Sequence, residues 1–121
     1  MNRLRIDCVV GARPNFIKMA AIIDELTRRR LFDYRLIHTG QHFSPEMSQS
    51  FFDELGLPQP HVNLGIKGGT QSEQTAEIMC GLENVFAHDR PHIVLVVGDV
   101  NSTLAAALVA AKMGIDRKSV V

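Results

Sequence analysis

Apolar residues from Leu4 to Val10 form a short Val- and Ile-rich block stopped by Gly11, the pattern of a β-strand. The period then changes. Phe16, Met19, Ala20, Ile23 and Leu26 recur at steps of three and four, which predicts an amphipathic helix. Pro14 suits its first turn, where the missing N–H would have no intrahelical partner. Tyr34 to Thr39 predicts a second strand, and Pro45 opens a helix carrying Met47, Phe51, Phe52 and Leu55 and closed by Gly56. Residues 56–69 hold two prolines and three further glycines and read as a loop, with a short strand at Val62 to Leu64. Thr70 and Glu73 have capping-box spacing. The helix they open carries Ala76, Met79, Leu82 and Phe86 and stops before Pro91. Ile93 to Val97 is apolar throughout, as in a strand buried on both faces of a parallel sheet. Asn101 or Ser102 stands where a cap would open a last, alanine-rich helix ending at Gly114.

The order βαβαβαβα predicts an α/β fold, a Rossmann-like doubly wound parallel sheet. Right-handed crossovers give strand order 3-2-1-4. The first and fourth strands then flank the topological switch point. Two polar strand-to-helix turns, Gly11 to Lys18 and Gly98 to Thr103, become the lips of one crevice. Such a chain is expected to enter a fifth strand after Ile115. Asp116-Arg117-Lys118-Ser119-Val120-Val121 instead matches an in-frame translation of a widely used sequencing adapter. The reading is therefore a domain over 1–115 and a non-native tail over 116–121, leaving the fourth strand with an exposed edge.

Composition narrows the function. With 121 residues the chain suffices for one modest domain. Thirteen Lys+Arg balance thirteen Asp+Glu, so no net field favours nucleic acid or an anionic membrane. No apolar run approaches the ~18 residues of a membrane span. A signal peptide is not evident, and a cytoplasmic protein is expected. Cys8 and Cys80 lack close spacing and read as buried thiols of a reducing compartment. Arg28-Arg29-Arg30, with Arg35 shortly after, reads as a solvated helix C-terminus where cations complement the dipole.

Any anion binding must then be local. Arg13 and Lys18 sit at the start of a helix, where backbone N–H groups favour an anion. They are either a phosphate grip or surface charges. The turn is neither G-x-x-x-x-G-K-[ST] nor G-x-G-x-x-G. Asp99 ends a buried strand as either a helix cap or a functional carboxylate, and Asn101, Ser102 and Thr103 read as caps. Gln41 and His42 follow the second strand at the same edge, with His42 either solvated or titrating near neutrality. His38 and His42, and His88 and His92, are four apart, but Gly40 and Pro91 interrupt them, so no metal site is predicted. His61 reads as surface, and Gly65 to Gly69 as a flexible loop. There is no G-x-S-x-G elbow, and Cys8 lies mid-strand, so hydrolase readings fail.

Three segments together carry a resemblance. Gly11-Ala12-Arg13-Pro14-Asn15-Phe16-Ile17-Lys18-Met19-Ala20, Thr39-Gly40-Gln41-His42 with Met47, and Gly98-Asp99-Val100-Asn101-Ser102-Thr103-Leu104-Ala105 resemble the motifs of the non-hydrolysing UDP-N-acetylglucosamine 2-epimerases, in order and separation. The resemblance covers Leu4 to Ile115. It implies the N-terminal half of a two-domain fold like that of the B-type glycosyltransferases, with the active site between the domains. It implies interconversion of UDP-GlcNAc and UDP-ManNAc through UDP elimination and re-addition, with no dissociable cofactor. It also implies a homodimer serving bacterial surface polysaccharides. Carried over, Arg13 and Lys18 match a basic pair near the substrate, and Asp99 matches a carboxylate of the acid–base chemistry. Gln41 and His42 match a loop near a regulatory UDP-GlcNAc site of some bacterial members. Asn15 stands where the motif commonly has glutamate, and Ala12 where it has threonine. A glycosyltransferase-like nucleotide-sugar protein and a non-catalytic nucleotide-binding module are the alternatives on the same architecture.

Overall fold

The computed structural model describes residues 4–11, 13–30, 32–40, 53, 54, 56, 60–66, 69–98 and 101–120, the side chains of residues 13, 14, 119 and 120 excepted. Gln41, His42, Asp99 and most of the helix expected after Pro45 lie outside the described residues.

Strands β1 (Leu4–Val10), β2 (Phe32–His38), β3 (Val62–Asn63), β4 (Ile93–Val97) and β5 (Asp116–Val120) alternate with helices α1 (Arg13–Arg29), α2 (Gln71–His88) and α3 (Asn101–Met113). They form one sheet of order β3-β2-β1-β4-β5, parallel at every pairing. The predicted order of the first four strands is thus observed. Connections leave β1 toward β2 and leave β4 toward β5 in opposite directions, which makes the β1–β4 gap the switch point.

Period-two alternation sorts side chains between the two faces. Ile6, Cys8 and Val10 of β1, with Leu36 and Val97, pack against Phe16, Met19 and Ile23 of α1. Val9, Ile37, Val94 and Val96 point the other way, onto Ile78, Leu82 and Phe86 of α2 and Ala105, Ala106, Val109 and Ala110 of α3. The alanines of α3 explain its weak amphipathicity: small side chains let the helix lie close to β4 and α2. The predicted capping box is present, with the Thr70 hydroxyl accepting from the Glu73 N–H and the Glu73 carboxylate from the Thr70 N–H.

Several expectations are corrected. The β4 edge is not bare, because Asp116–Val120 pairs along its whole length. β5 is itself the outer strand, and its exposed Asp116, Arg117 and Lys118 are the charges that keep an edge from pairing further. Cys80 is exposed on α2 rather than buried, whereas Cys8 is fully buried, and both thiols are free. Ile66, in the stretch Gly65 to Gly69 read as a flexible loop, is not loose: it is buried and its N–H donates to the Thr39 carbonyl.

Arg35 is no part of a solvated basic run. It forks onto Asp7, with Nε to Oδ1 at 3.0 Å and Nη2 to Oδ2 at 2.5 Å. Asp7 is buried on the α2 face of β1. Arg5 lies beside it and forks onto Asp89 at the C-terminus of α2, so the cluster ties that helix end to two strands. Burial pushes the Asp7 carboxyl above its ordinary value, against the pull of Arg35. Arg28 and Arg29, by contrast, are exposed as expected and pair with Glu25.

Candidate functional site

In a parallel sheet all strand C-termini share one edge, so the turns after β1, β2 and β4 emerge together. Three buried polar contacts join them. Gly11 ends β1, and a Cβ there would meet Thr39 Oγ1 at 2.5 Å and Ser102 Cβ at 2.8 Å. Only glycine lets the β1 turn rest on the end of β2 and the start of α3. Beneath it the Thr39 and Ser102 hydroxyls bond to each other at 2.9 Å, both buried. His38 is also buried, stacks on Phe16 with ring centroids 5.1 Å apart, and accepts the Gly40 N–H on Nδ1 at 2.7 Å. That bond fixes the neutral tautomer with its proton on Nε2.

The third contact crosses the switch point. Gly98 has φ +87°, and a Cβ there would fall onto the carboxamide of Asn15, the third residue of α1. Asn15 is only 5% exposed. The first turn of α1 also presents backbone N–H groups and the positive end of the helix dipole to this gap.

Arg13 is the first residue of α1, with its side chain outside the described residues. Lys18 is exposed one turn further along the helix. Asp99 follows directly on Gly98, and Gln41 and His42 on Gly40; all three lie outside the described residues. The chain therefore brings their anchoring turns to one edge of the sheet. Asn101, Ser102 and Thr103 are not caps but belong to the first turn of α3, and their side chains reach across to neighbours. Asn101 bonds Gln71, Ser102 bonds Thr39, and the Thr103 hydroxyl donates to the Val97 carbonyl at 3.0 Å. Sequence reading missed Asn15, Thr39 and Ser102 as linked groups. The signal available was a small polar residue just past β2 (Thr39) and in the first turns of α1 (Asn15) and α3 (Ser102).

A doubly wound parallel sheet with a polar, glycine-lined switch point defines the chain as a Rossmann-like α/β protein. Comparison with known proteins narrows this. A family model for UDP-N-acetylglucosamine 2-epimerase matches residues 24–117, most of the chain. The chain is 42% identical to a UDP-2,3-diacetamido-2,3-dideoxy-D-glucuronate 2-epimerase of Pseudomonas aeruginosa, over 91% of this chain and 31% of that protein. It is 46% identical to a UDP-N-acetylglucosamine 2-epimerase homolog of Methanococcus maripaludis, over 93% of this chain and 31% of that one. Among solved structures, the Methanocaldococcus jannaschii UDP-GlcNAc 2-epimerase in complex with UDP-GlcNAc and UDP superposes with TM-score 0.90 at 41% identity, covering 96% of this chain and 32% of that one. The chain belongs to the UDP-N-acetylglucosamine 2-epimerase family. It spans about 31% of the length of these curated relatives.

Proposed function

We propose that this chain supplies one wall of the active-site cleft of a UDP-GlcNAc 2-epimerase, as an N-terminal Rossmann-like domain. The observation that carries the reading is the meeting of three polar strand-end turns at the switch point, on a fold shared with a relative solved with UDP-GlcNAc and UDP. In the proposed reaction the C2 proton leaves and the C1–O bond to UDP breaks, giving a C1=C2 glycal. UDP then returns to C1 and a proton to the opposite face of C2, giving UDP-ManNAc. Arg13 and Lys18 are proposed to counter charge developing on the departing diphosphate. Asp99 is proposed as a proton-handling carboxylate beside the sugar. Gln41 and His42 are proposed for a regulatory UDP-GlcNAc site.

The remainder of the cleft belongs to a second domain, and the working enzyme is proposed to be a cytoplasmic homodimer. The free thiols and the lack of any helix long and apolar enough to cross a membrane among the described residues fit that setting. Incubating the full-length enzyme with UDP-GlcNAc in D2O should yield UDP-ManNAc with deuterium at C2, seen by proton NMR. Asp99→Asn should slow that turnover by roughly 10²–10⁴-fold while leaving the thermal midpoint nearly unchanged. A near-normal rate removes Asp99 from the chemistry. The comparable identity to the diacetamido-glucuronate enzyme favours a second substrate reading, a nucleotide sugar with a C6 carboxylate. Assaying both substrates in parallel decides between them.

A further inference from the structure

Thr39 and Ser102 are buried where apolar side chains of the same size would pack without needing partners. Their oxygens lie 2.9 Å apart, although the residues are 63 positions apart and belong to different turns. Thr39 is the fixed side of this bond. Its N–H donates to the Val10 carbonyl at 3.0 Å and its carbonyl accepts the Ile66 N–H at 2.9 Å, so both flanks hold it as a continuation of β2. Its β-branched side chain limits the range of its oxygen. Ser102 is the second residue of α3, just past the turn that leaves β4. Thr103 beside it donates to the Val97 carbonyl at 3.0 Å and pins the helix start back along β4. The Ser102 bond pins the same start sideways, across the end of β1 to β2. Gly11 leaves room for that crossing, since a Cβ there would stand 1.9 Å from Ser102 Oγ.

Between these two anchors, Val97 and Ser102, the sequence holds Asp99. The chain leaves β4 through Gly98 at φ +87°, a residue with little conformational preference of its own, so the aim of the turn depends on what holds its ends. A reacting group displaced by about 1 Å can lose 10²-fold in rate. We propose that Thr39 and Ser102 are positioning residues: their bond sets where the β4–α3 turn presents Asp99 to the sugar, and neither side chain touches substrate. This rests on the nucleotide-sugar reading above. Burial suits the role, because water cannot compete for the bond.

The test uses the full-length enzyme with UDP-GlcNAc, reading kcat and KM separately. Ser102→Ala and Thr39→Val each remove one oxygen with little change of volume. Each should lower kcat by roughly 10- to 100-fold and leave KM within about twofold. Thr39→Ser keeps the oxygen and should restore most of kcat. In an Asp99→Asn background, Ser102→Ala should lower the rate little further, because the pair acts through that carboxylate. A thermal midpoint that falls while kcat stays normal marks a purely structural bond and overturns the proposal. So does a Ser102→Ala loss that is undiminished in the Asp99→Asn background. Should Thr39→Val fail to fold, Ser102→Ala, the smaller change, decides by the same readings. Those results sink this inference alone; a wild type inert toward UDP-GlcNAc, or Asp99→Asn at a normal rate, sinks the parent reading with it.

Discussion

At Cys8 and Cys80 the same functional group has two fates. Burial between β1 and α1 pushes the Cys8 thiol up to about 12, while Cys80 faces solvent on α2. Iodoacetamide at pH 8 should therefore alkylate Cys80 alone in the native chain and both residues in denaturant, as read by peptide mass spectrometry. The linkage has a definite sign. The folded-state pKa lies above the ordinary thiol value of ~8.5, so the contribution of Cys8 is complete below that value and is lost as pH rises toward about 12. Cys8→Ala should flatten the alkaline fall in stability even if it lowers stability at neutral pH. Gly11 is the other residue whose surroundings decide its tolerance. Gly11→Ala drives a methyl into the Thr39–Ser102 hydroxyl pair and should cost about 1–3 kcal/mol in urea denaturation. Ser102→Ala in the same chain should return part of that loss, since it removes the hydroxyl nearest the new methyl.

Elements here are held at their ends as much as by their faces. α2 begins at the Thr70–Glu73 box and finishes where Asp89 takes the fork of Arg5. Thr70→Ala should cost about 1 kcal/mol of unfolding free energy. The other end carries more, because Asp7 is the buried centre of the cluster. Asp7→Asn takes the buried counter-charge from the mostly buried Arg35 guanidinium, leaving it only the exposed Asp89 carboxylate at 3.7 Å, and should cost about 3 kcal/mol. Replacing Asp7 and Arg35 together by apolar residues should cost less than Asp7→Asn alone, measured by the same denaturation. The capping box was legible because it is a local pattern at fixed spacing. The Asp7–Arg35 pair was not. Its partners are 28 residues apart and meet only when β1 and β2 pair in parallel, and Arg35 follows a basic run that invites a surface reading.

For the whole molecule, removing residues 116–121 should uncover the β4 edge, and size-exclusion chromatography should then show higher-order species that the intact chain lacks. Apolar periodicity along the chain was enough to set the alternation of strands and helices. Together with the handedness of parallel crossovers, it was enough to predict the order of the first four strands, since few topologies obey both. The turn motifs likewise pointed to a crevice without coordinates. Tertiary structure alone decided which polar residues became interior partners: Asp7 with Arg35, Thr39 with Ser102, and Asn15 against Gly98. The physical reason is range. Periodicity and caps act over three or four residues, whereas a buried polar group is satisfied by whatever the sheet brings beside it from far along the chain.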